Sequence, residues 1–118
     1  MKTDLELLTL AAKAFGIAGE EWDYTLPGEG EESYFALRLE HGDVWSPLHD
    51  DGDAFRLAVK LNFQISYEPE PDGPIVLVVF AHLPGILVSA SEELLKDACV
   101  ATRRAIVRAA AQIGEVMP

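Results

Sequence analysis

The sequence predicts an α+β domain in which a small, mainly antiparallel sheet of three or four strands packs against helices. Two observations lead to this prediction. Three segments repeat apolar residues at helical spacing, and the segments between them alternate apolar and polar residues as half-buried strands do. Read along the chain, these segments give the order α-β-α-β-β-α. The length of 118 residues fits a single domain spanning residues 1–118.

The composition is that of a globular protein. Hydrophobic residues make up 49% and charged residues 25% of the chain, and a chain of this length buries roughly two-thirds of its surface on folding. No apolar run approaches the roughly 18 residues of a membrane span, and Asp4 and Glu6 are atypical of a signal peptide. Cys99 is the only cysteine. We therefore expect a cytoplasmic protein that folds without disulfides.

The first helix begins at a capping box. Thr3 and Glu6 have the spacing at which the hydroxyl and the carboxylate each satisfy a backbone N–H at the helix start. Apolar residues, among them Leu8, then recur at helical spacing as far as Phe15, and Gly16 is suited to the left-handed conformation that ends a helix. We expect this helix to pack by its leucine face.

An acidic segment follows the first helix. Residues 19–53 contain eleven acids and one base, Arg38, and so carry −10 of the net charge of −11. Affinity for nucleic acid comes mainly from lysines and arginines that neutralise phosphates, so this segment argues against direct nucleic-acid binding. A protein partner with a basic surface is its natural complement.

Aromatic residues lie within the acidic segment. Trp22 and Tyr24 alternate with polar residues as in a short edge strand, and residues 33–39 predict a better strand. Tryptophan and tyrosine are favoured at interfaces, but the rim of the core is the more expected place for these residues. The candidate partner-binding residues are Trp22, Tyr24, Glu29, Glu31, Glu32, Trp45 and His49.

Residues 45–61 are the most distinctive stretch. After a Trp-Ser-Pro-Leu turn, Asp50 has the chemistry of a helix cap and Asp53 the position of its reciprocating acid. From Ala54 onward the helix pattern is so apolar that we expect burial on nearly all sides. Asp50, Asp51, Asp53 and His49 are also metal-ligand residue types, although calcium-loop spacing is absent and capping accounts for at least two of the acids.

A hairpin and a long helix complete the chain. Residues 63–67 alternate as a half-buried strand and should pair with the apolar strand 75–81 across a proline-rich turn. Ser89 and Glu92 form another capping-box pattern, which predicts that the last helix begins there and runs to Gly114. This helix is rich in alanine, and its close-packing face suits a homo-oligomer; Cys99 within it is expected to be a buried, unreactive thiol.

Two blocks of the sequence resemble a known group of proteins. They are Trp45-Ser-Pro-Leu-x-x-Asp-Gly-Asp-Ala-x-Arg-Leu-Ala-Val-Lys-Leu61 and Ala101-Thr-Arg-Arg-Ala-Ile-Val-Arg-Ala-Ala-Ala-Gln-Ile-Gly114. The first is similar to the Trp-Asn-Pro-Leu-x-x-Asp-x-Asp-Ala block of small bacteriophage and prophage proteins of unknown function, the NinX-like group. Ser46 stands where asparagine is common in that group. The resemblance implies a phage origin and a bacterial host, and no activity.

Two hypotheses about function follow. The favoured one is a phage-encoded binding module that engages a basic host or phage protein, such as a nucleic-acid-binding protein, and needs no cofactor. The alternative is a small enzyme or a metal- or ligand-binding domain that uses His49, Asp50, Asp51 and Asp53. No catalytic residue is assigned, because no spacing in the chain defines a nucleophile and its base.

Overall fold

A computed structural model describes residues 2–17, 21–25, 34–39, 44–71, 73–83, 86–93 and 97–117. The described residues form three helices and six strands. In chain order these are α1 (Asp4–Phe15), β1 (Glu21–Thr25), β2 (Tyr34–Arg38), β3 (Val44–Trp45), α2 (Asp51–Lys60), β4 (Gln64–Glu68), β5 (Ile75–Leu83), β6 (Ile86–Glu93) and α3 (Ala98–Val116). The α+β class and the antiparallel strand pairing are confirmed.

The strands form two sheets of three, in the orders β1-β2-β3 and β4-β5-β6. The first sheet pairs Trp22 with Leu37, and β3 adds two residues before the chain turns into α2. The predicted hairpin is present in the second sheet, where Ser66 pairs with Leu77. The sheet count exceeds the prediction because α2 separates two meanders, each of which satisfies its ladder hydrogen bonds between sequential strands.

Helix α1 has the predicted ends. The Glu6 N–H donates to Thr3 Oγ1 at 3.2 Å, and the Glu6 carboxylate accepts from the Thr3 N–H at 3.5 Å. Gly16 ends the helix with a φ of +85°. Leu7 and Leu8 are buried on the predicted leucine face.

The main helix contact joins α1 to α3. A Cβ placed on Gly114 would lie 2.0 Å from the carbonyl oxygen of Leu10, so the two backbones approach more closely than any side chain allows. Ala109 and Ala110 beside it are fully buried. The close-packing face that suggested a homo-oligomer is therefore occupied by α1 of the same chain.

The predicted start of the last helix is wrong. Ser89 and Glu92 lie in β6, where Ser89 pairs with Val79 and Glu92 with Val76 of β5. Strand pairing satisfies their backbone groups, which outweighs the local capping pattern. Helix α3 begins after the cap residue Asp97, whose carboxylate accepts from two backbone N–H groups of the first turn, at 2.9 and 3.2 Å.

Two burial predictions are also wrong. Cys99 is exposed, because it lies in the first turn of α3, where residues 97–100 are all exposed beside an open depression. In α2, Phe55 and Val59 are 67% and 57% exposed, while Ala54 and Leu57 on the opposite face are buried. Helix α2 therefore buries one face against the core and exposes the other, although the exposed face carries apolar side chains.

Candidate partner-binding surface

The Trp45 side chain belongs to the core. It is 4% exposed, and its ring stacks on that of Phe15 with centroids 5.7 Å apart. Lys60 Nζ lies 4.7 Å from the centroid of the Phe15 ring and donates to the Phe15 carbonyl, which ties the end of α2 to α1. Trp45 was a candidate partner-binding residue; the structure instead gives it the core position that was the alternative.

Asp50 caps α2 as predicted, but Asp53 has a different role. The Asp53 N–H donates to Asp50 Oδ2 at 2.8 Å. Asp53 is 9% exposed, and its carboxylate accepts from the Ser46 N–H at 2.9 Å and from Arg56 at 2.7 Å. The hydrogen bond from Arg56 to Asp53 raises the pKa of the guanidinium. Asp53 thus joins the Trp-Ser-Pro-Leu turn to the helix, because Ser46 is buried and its N–H needs an acceptor.

Asp51, the remaining acid of the cluster, pairs with a residue of α3. Its carboxylate lies 2.5 Å from Arg103 of α3, and the same guanidinium donates to the Leu48 carbonyl at 2.9 Å. Arg56 also lies 3.8 Å from the Asp50 carboxylate, so Asp50 and Asp53 share a basic partner, while Asp51 pairs with Arg103. Among the residues that the structure describes, no three histidine, cysteine, aspartate or glutamate side chains are grouped as a metal site would require.

His49 is exposed at the edge of this turn. It lines an open depression of about 270 Å³ together with residues that include Val44, Asp50 and Arg56. Partial burial, followed by the positive charge of Arg103, lowers the pKa of His49, while Asp4 acts in the opposite direction. At neutral pH its imidazole is therefore neutral.

For the other candidate partner-binding residues, the structure describes only the backbone or nothing. Trp22 and Tyr24 lie in β1, of which the structure describes the backbone pairing. Glu29, Glu31 and Glu32 lie outside the described residues. Their role in binding a partner stays a prediction.

The structure reveals an apolar groove that the sequence did not indicate. The α2–β4–α3 groove has a volume of about 350 Å³ and is lined by residues that include Phe55, Ile65, Tyr67, Cys99 and Ile106. Phe55 and Tyr67 are 67% and 58% exposed. The Tyr67 hydroxyl lies 3.1 Å from the Thr102 hydroxyl of α3, which orients its ring toward the groove.

A second depression continues the groove along α2. It has a volume of about 330 Å³, shares Phe55 and Ile65 with the first, and adds Val59 and Phe63. One signal could have revealed this surface. A ten-residue helix with apolar residues on every side cannot bury them all in a chain this small, so Phe55 and Val59, one turn apart, were candidates for exposure.

The basic side chains are largely engaged within the chain. Five basic side chains of the described residues form ion pairs with acids: Lys2 with Glu115, Arg56 with Asp53, Arg103 with Asp51, Arg104 with Asp4 and Arg108 with Glu92. Lys13 and Lys60 donate to backbone carbonyls. At least seven of the chain's nine basic residues are thus held by internal contacts, while the chain has 20 acids. The uncompensated charge is negative.

Comparison of the chain with protein family models, curated proteins and solved structures gives no match. The likeness of residues 45–61 and 101–114 to phage proteins therefore stays a prediction based on those two blocks. Among the described residues, no helix is both long enough and apolar enough to cross a membrane. Function must be inferred from the groove and the charge distribution.

Proposed function

We propose that this protein is an acidic protein-binding module whose partner presents a basic surface. One observation carries the proposal: most basic side chains are engaged in internal contacts, while the chain as a whole has a net charge of −11. The acids in excess are available to lysines and arginines of another protein. The resemblance to phage proteins directs the search to host or phage proteins that bind nucleic acid, since these carry basic surfaces.

Charge complementarity of this kind affects the association rate more than the dissociation rate, so the dissociation constant rises when the charges are screened. A negative field attracts a basic partner and raises the association rate, and the effect falls as salt screens the charges. The same net charge opposes the approach of a second copy. The expected behaviour is fast, salt-sensitive binding to a partner of opposite charge.

The depression beside His49 favours a second candidate, a small ligand-binding or catalytic domain. This candidate requires carboxylates that are free to bind a ligand or move a proton. Asp50 caps α2, and Asp53 accepts two hydrogen bonds. Both are already used in holding the turn against the helix, so binding a protein is the better proposal.

A pull-down from bacterial lysate followed by calorimetry tests the proposal. We expect the wild-type protein to capture a basic protein and the dissociation constant of the purified pair to rise at least about tenfold between low and moderate salt. The variant with Glu29→Lys, Glu31→Lys and Glu32→Lys should bind more weakly still. The matched variant with glutamine at these positions should show a smaller loss, since it removes charge without reversing it.

Binding that is insensitive both to salt and to charge reversal would overturn the proposal. So would a captured partner whose binding surface is acidic. Circular dichroism of each variant confirms that it is folded before its affinity is compared.

A further inference from the structure

We propose that the α2–β4–α3 groove and the neighbouring edge of β4 bind an extended segment of the basic partner. The segment adds a strand beside β4, with aliphatic or aromatic side chains in the groove and lysines or arginines between them. This inference rests on the proposed function, from which it takes the basic character of the partner. It adds the place and the mode of binding.

The first support is the difference between the two edges of the second sheet. Among the described strands, β4 and β6 each pair only with β5. On β6, the carbonyls of Ser91 and Ser89 accept from Arg108 and Gln112 of α3, at 2.9 and 2.7 Å. The described contacts of β4 include no such covering interaction with its backbone, and Gln64 to Tyr67 are exposed. An open strand edge is a template for an added strand.

The side chains of β4 match such a strand. Ile65 and Tyr67 lie on the groove side, as the contact between Tyr67 and Thr102 shows. The alternate residues, including Ser66 and Glu68, lie on the other face of the strand. A strand paired with β4 therefore meets apolar groups on one face and polar or acidic groups on the other, which favours an alternating apolar and basic sequence.

Charge at the rim of the groove selects a basic segment. Asp97 is exposed next to the groove residue Ala98 at the start of α3, and Glu68 lies at the end of β4. Among the described residues that line the groove, the basic one is Arg103, whose side chain is 14% exposed and paired with Asp51. A second copy of this chain would bring another net charge of −11 to the same place. A separate basic segment is the complementary occupant.

The lone cysteine provides a reporter for this site. Cys99 is exposed and lines the groove, so an environment-sensitive fluorophore attached to it reports occupancy without a further mutation. The probe is a peptide that alternates lysine with phenylalanine and leucine. Its control has the same composition with the apolar residues in one block. We expect saturable binding of the alternating peptide and at least about fivefold weaker binding of the control.

Matched variants locate the binding site. Phe55→Ser and Tyr67→Ser should each weaken binding about tenfold, because they remove exposed groove walls. Val116→Ser should not, although Val116 is as exposed as Phe55, at 67%. Glu68→Lys should weaken binding several-fold, while Glu93→Lys should not. Glu68 and Glu93 flank Ile75 from the two edges of the sheet, so the pair changes charge at equivalent positions.

Hydrogen exchange of the unlabelled protein tests the strand itself. Peptide binding should protect backbone amides of Gln64–Glu68 and leave those of β6 unchanged. Protection of α2 and α3 without β4 would overturn strand addition and indicate a helical occupant. A dimer in the ultracentrifuge with β4 protected in the absence of peptide would overturn the choice of partner.

The inference and the proposed function fail separately. Salt-dependent capture of a basic protein that is unaffected by Phe55→Ser and Tyr67→Ser would reject the groove and leave the acidic module. Capture that is lost in these variants but insensitive to salt would reject the electrostatic proposal. Binding that is weakened both by salt and by Phe55→Ser and Tyr67→Ser supports the electrostatic proposal and the groove together.

Discussion

The two ends of α3 have similar small residues but different surroundings. At the C-terminal end, Ala110 and Gly114 are buried against α1. At the N-terminal end, Ala98, Cys99 and Val100 are exposed next to the groove. The difference teaches that a small apolar residue on a helix predicts close packing only where another element of the same chain reaches it.

The contacts at the two ends also differ in kind. The C-terminal end meets α1 by a close backbone approach, with Leu10 directly against Gly114, and Lys13 of α1 also donates to the Met117 carbonyl. The N-terminal end is joined to α2 by Arg103, which reaches the Leu48 carbonyl and the Asp51 carboxylate. The C-terminal end thus combines a close backbone approach with polar contacts, while the described contacts of the N-terminal end with α2 are polar and lie beside an open groove.

Substitution of Gly114 gives the largest expected effect on this comparison. An alanine normally stabilises a helix by about 1 kcal/mol relative to glycine. Here the added Cβ would lie 2.0 Å from the Leu10 carbonyl oxygen, so Gly114→Ala should lower the free energy of unfolding by about 3 kcal/mol through overpacking. Urea denaturation measures the change.

The control for this prediction is at the open end of the same helix. Ala98→Val adds more volume than Gly114→Ala, but Ala98 is exposed. Its free energy of unfolding should change by only about 0.5 kcal/mol. Equal losses at the two positions would show that the two ends do not differ as described.

An intermediate effect is expected at the polar link. Arg103→Ala leaves the Leu48 carbonyl without its charged donor and should lower the free energy of unfolding by about 2 kcal/mol. Arg104→Ala, at a side chain that is 39% exposed, should cost about 0.5 kcal/mol. Thermal or chemical denaturation of the two variants side by side compares a partly buried arginine with a surface one. A larger loss for Arg104→Ala would contradict this assignment.

The smallest effect concerns pH. Burial and Arg103 lower the pKa of His49 below its unfolded value of 6.5, so the unfolded chain binds the proton more tightly than the folded one. The contribution of His49 to stability is therefore present above that value and is lost as the pH falls below it. Between pH 7.5 and 5.5, the wild type should lose slightly more free energy of unfolding than His49→Gln.

The same site offers a direct measurement. Titration of the His49 ring by nuclear magnetic resonance in Arg103→Ala should give a higher pKa than in the wild type, because a repelling charge has been removed. An unchanged pKa in that variant would show that Arg103 has no effect on the histidine.

Local patterns predicted the elements whose ends are determined locally. The Thr3 and Glu6 capping box, the Gly16 end of α1 and the cap at Asp50 all depend on residues within one helical turn. The Ser89 and Glu92 pattern failed because β5 offered those residues strand partners, a contact that no local pattern contains. The predicted number of strands was too low for the same reason, since six strands are divided by α2 between two sheets of three.

The apolar pattern of α2 gave a signal for part of the groove, at Phe55 and Val59, but the rest could not be predicted because it depends on which side chains the packing leaves uncovered. Ile65 and Tyr67 have the alternation of a half-buried strand, and Phe55 has the spacing of a core residue. Their exposure follows from the positions of α2 and α3 relative to β4, which are set by long-range packing. The net charge, in contrast, needs only the residue count, so the acidic half of the proposal was accessible from the sequence.

The contact between α1 and α3 has a consequence for how the chain folds. The hydrogen bond from Lys13 to the Met117 carbonyl joins residues 104 positions apart in the sequence, and the contact between Leu10 and Gly114 has a similar sequence separation. During synthesis, the leucine face of α1 leaves the ribosome long before α3 exists to cover it. Contacts of such high sequence separation slow folding, and exposed apolar faces favour aggregation. The leucine face of α1 therefore stays without this cover until synthesis has reached α3, and during that interval it is open to aggregation.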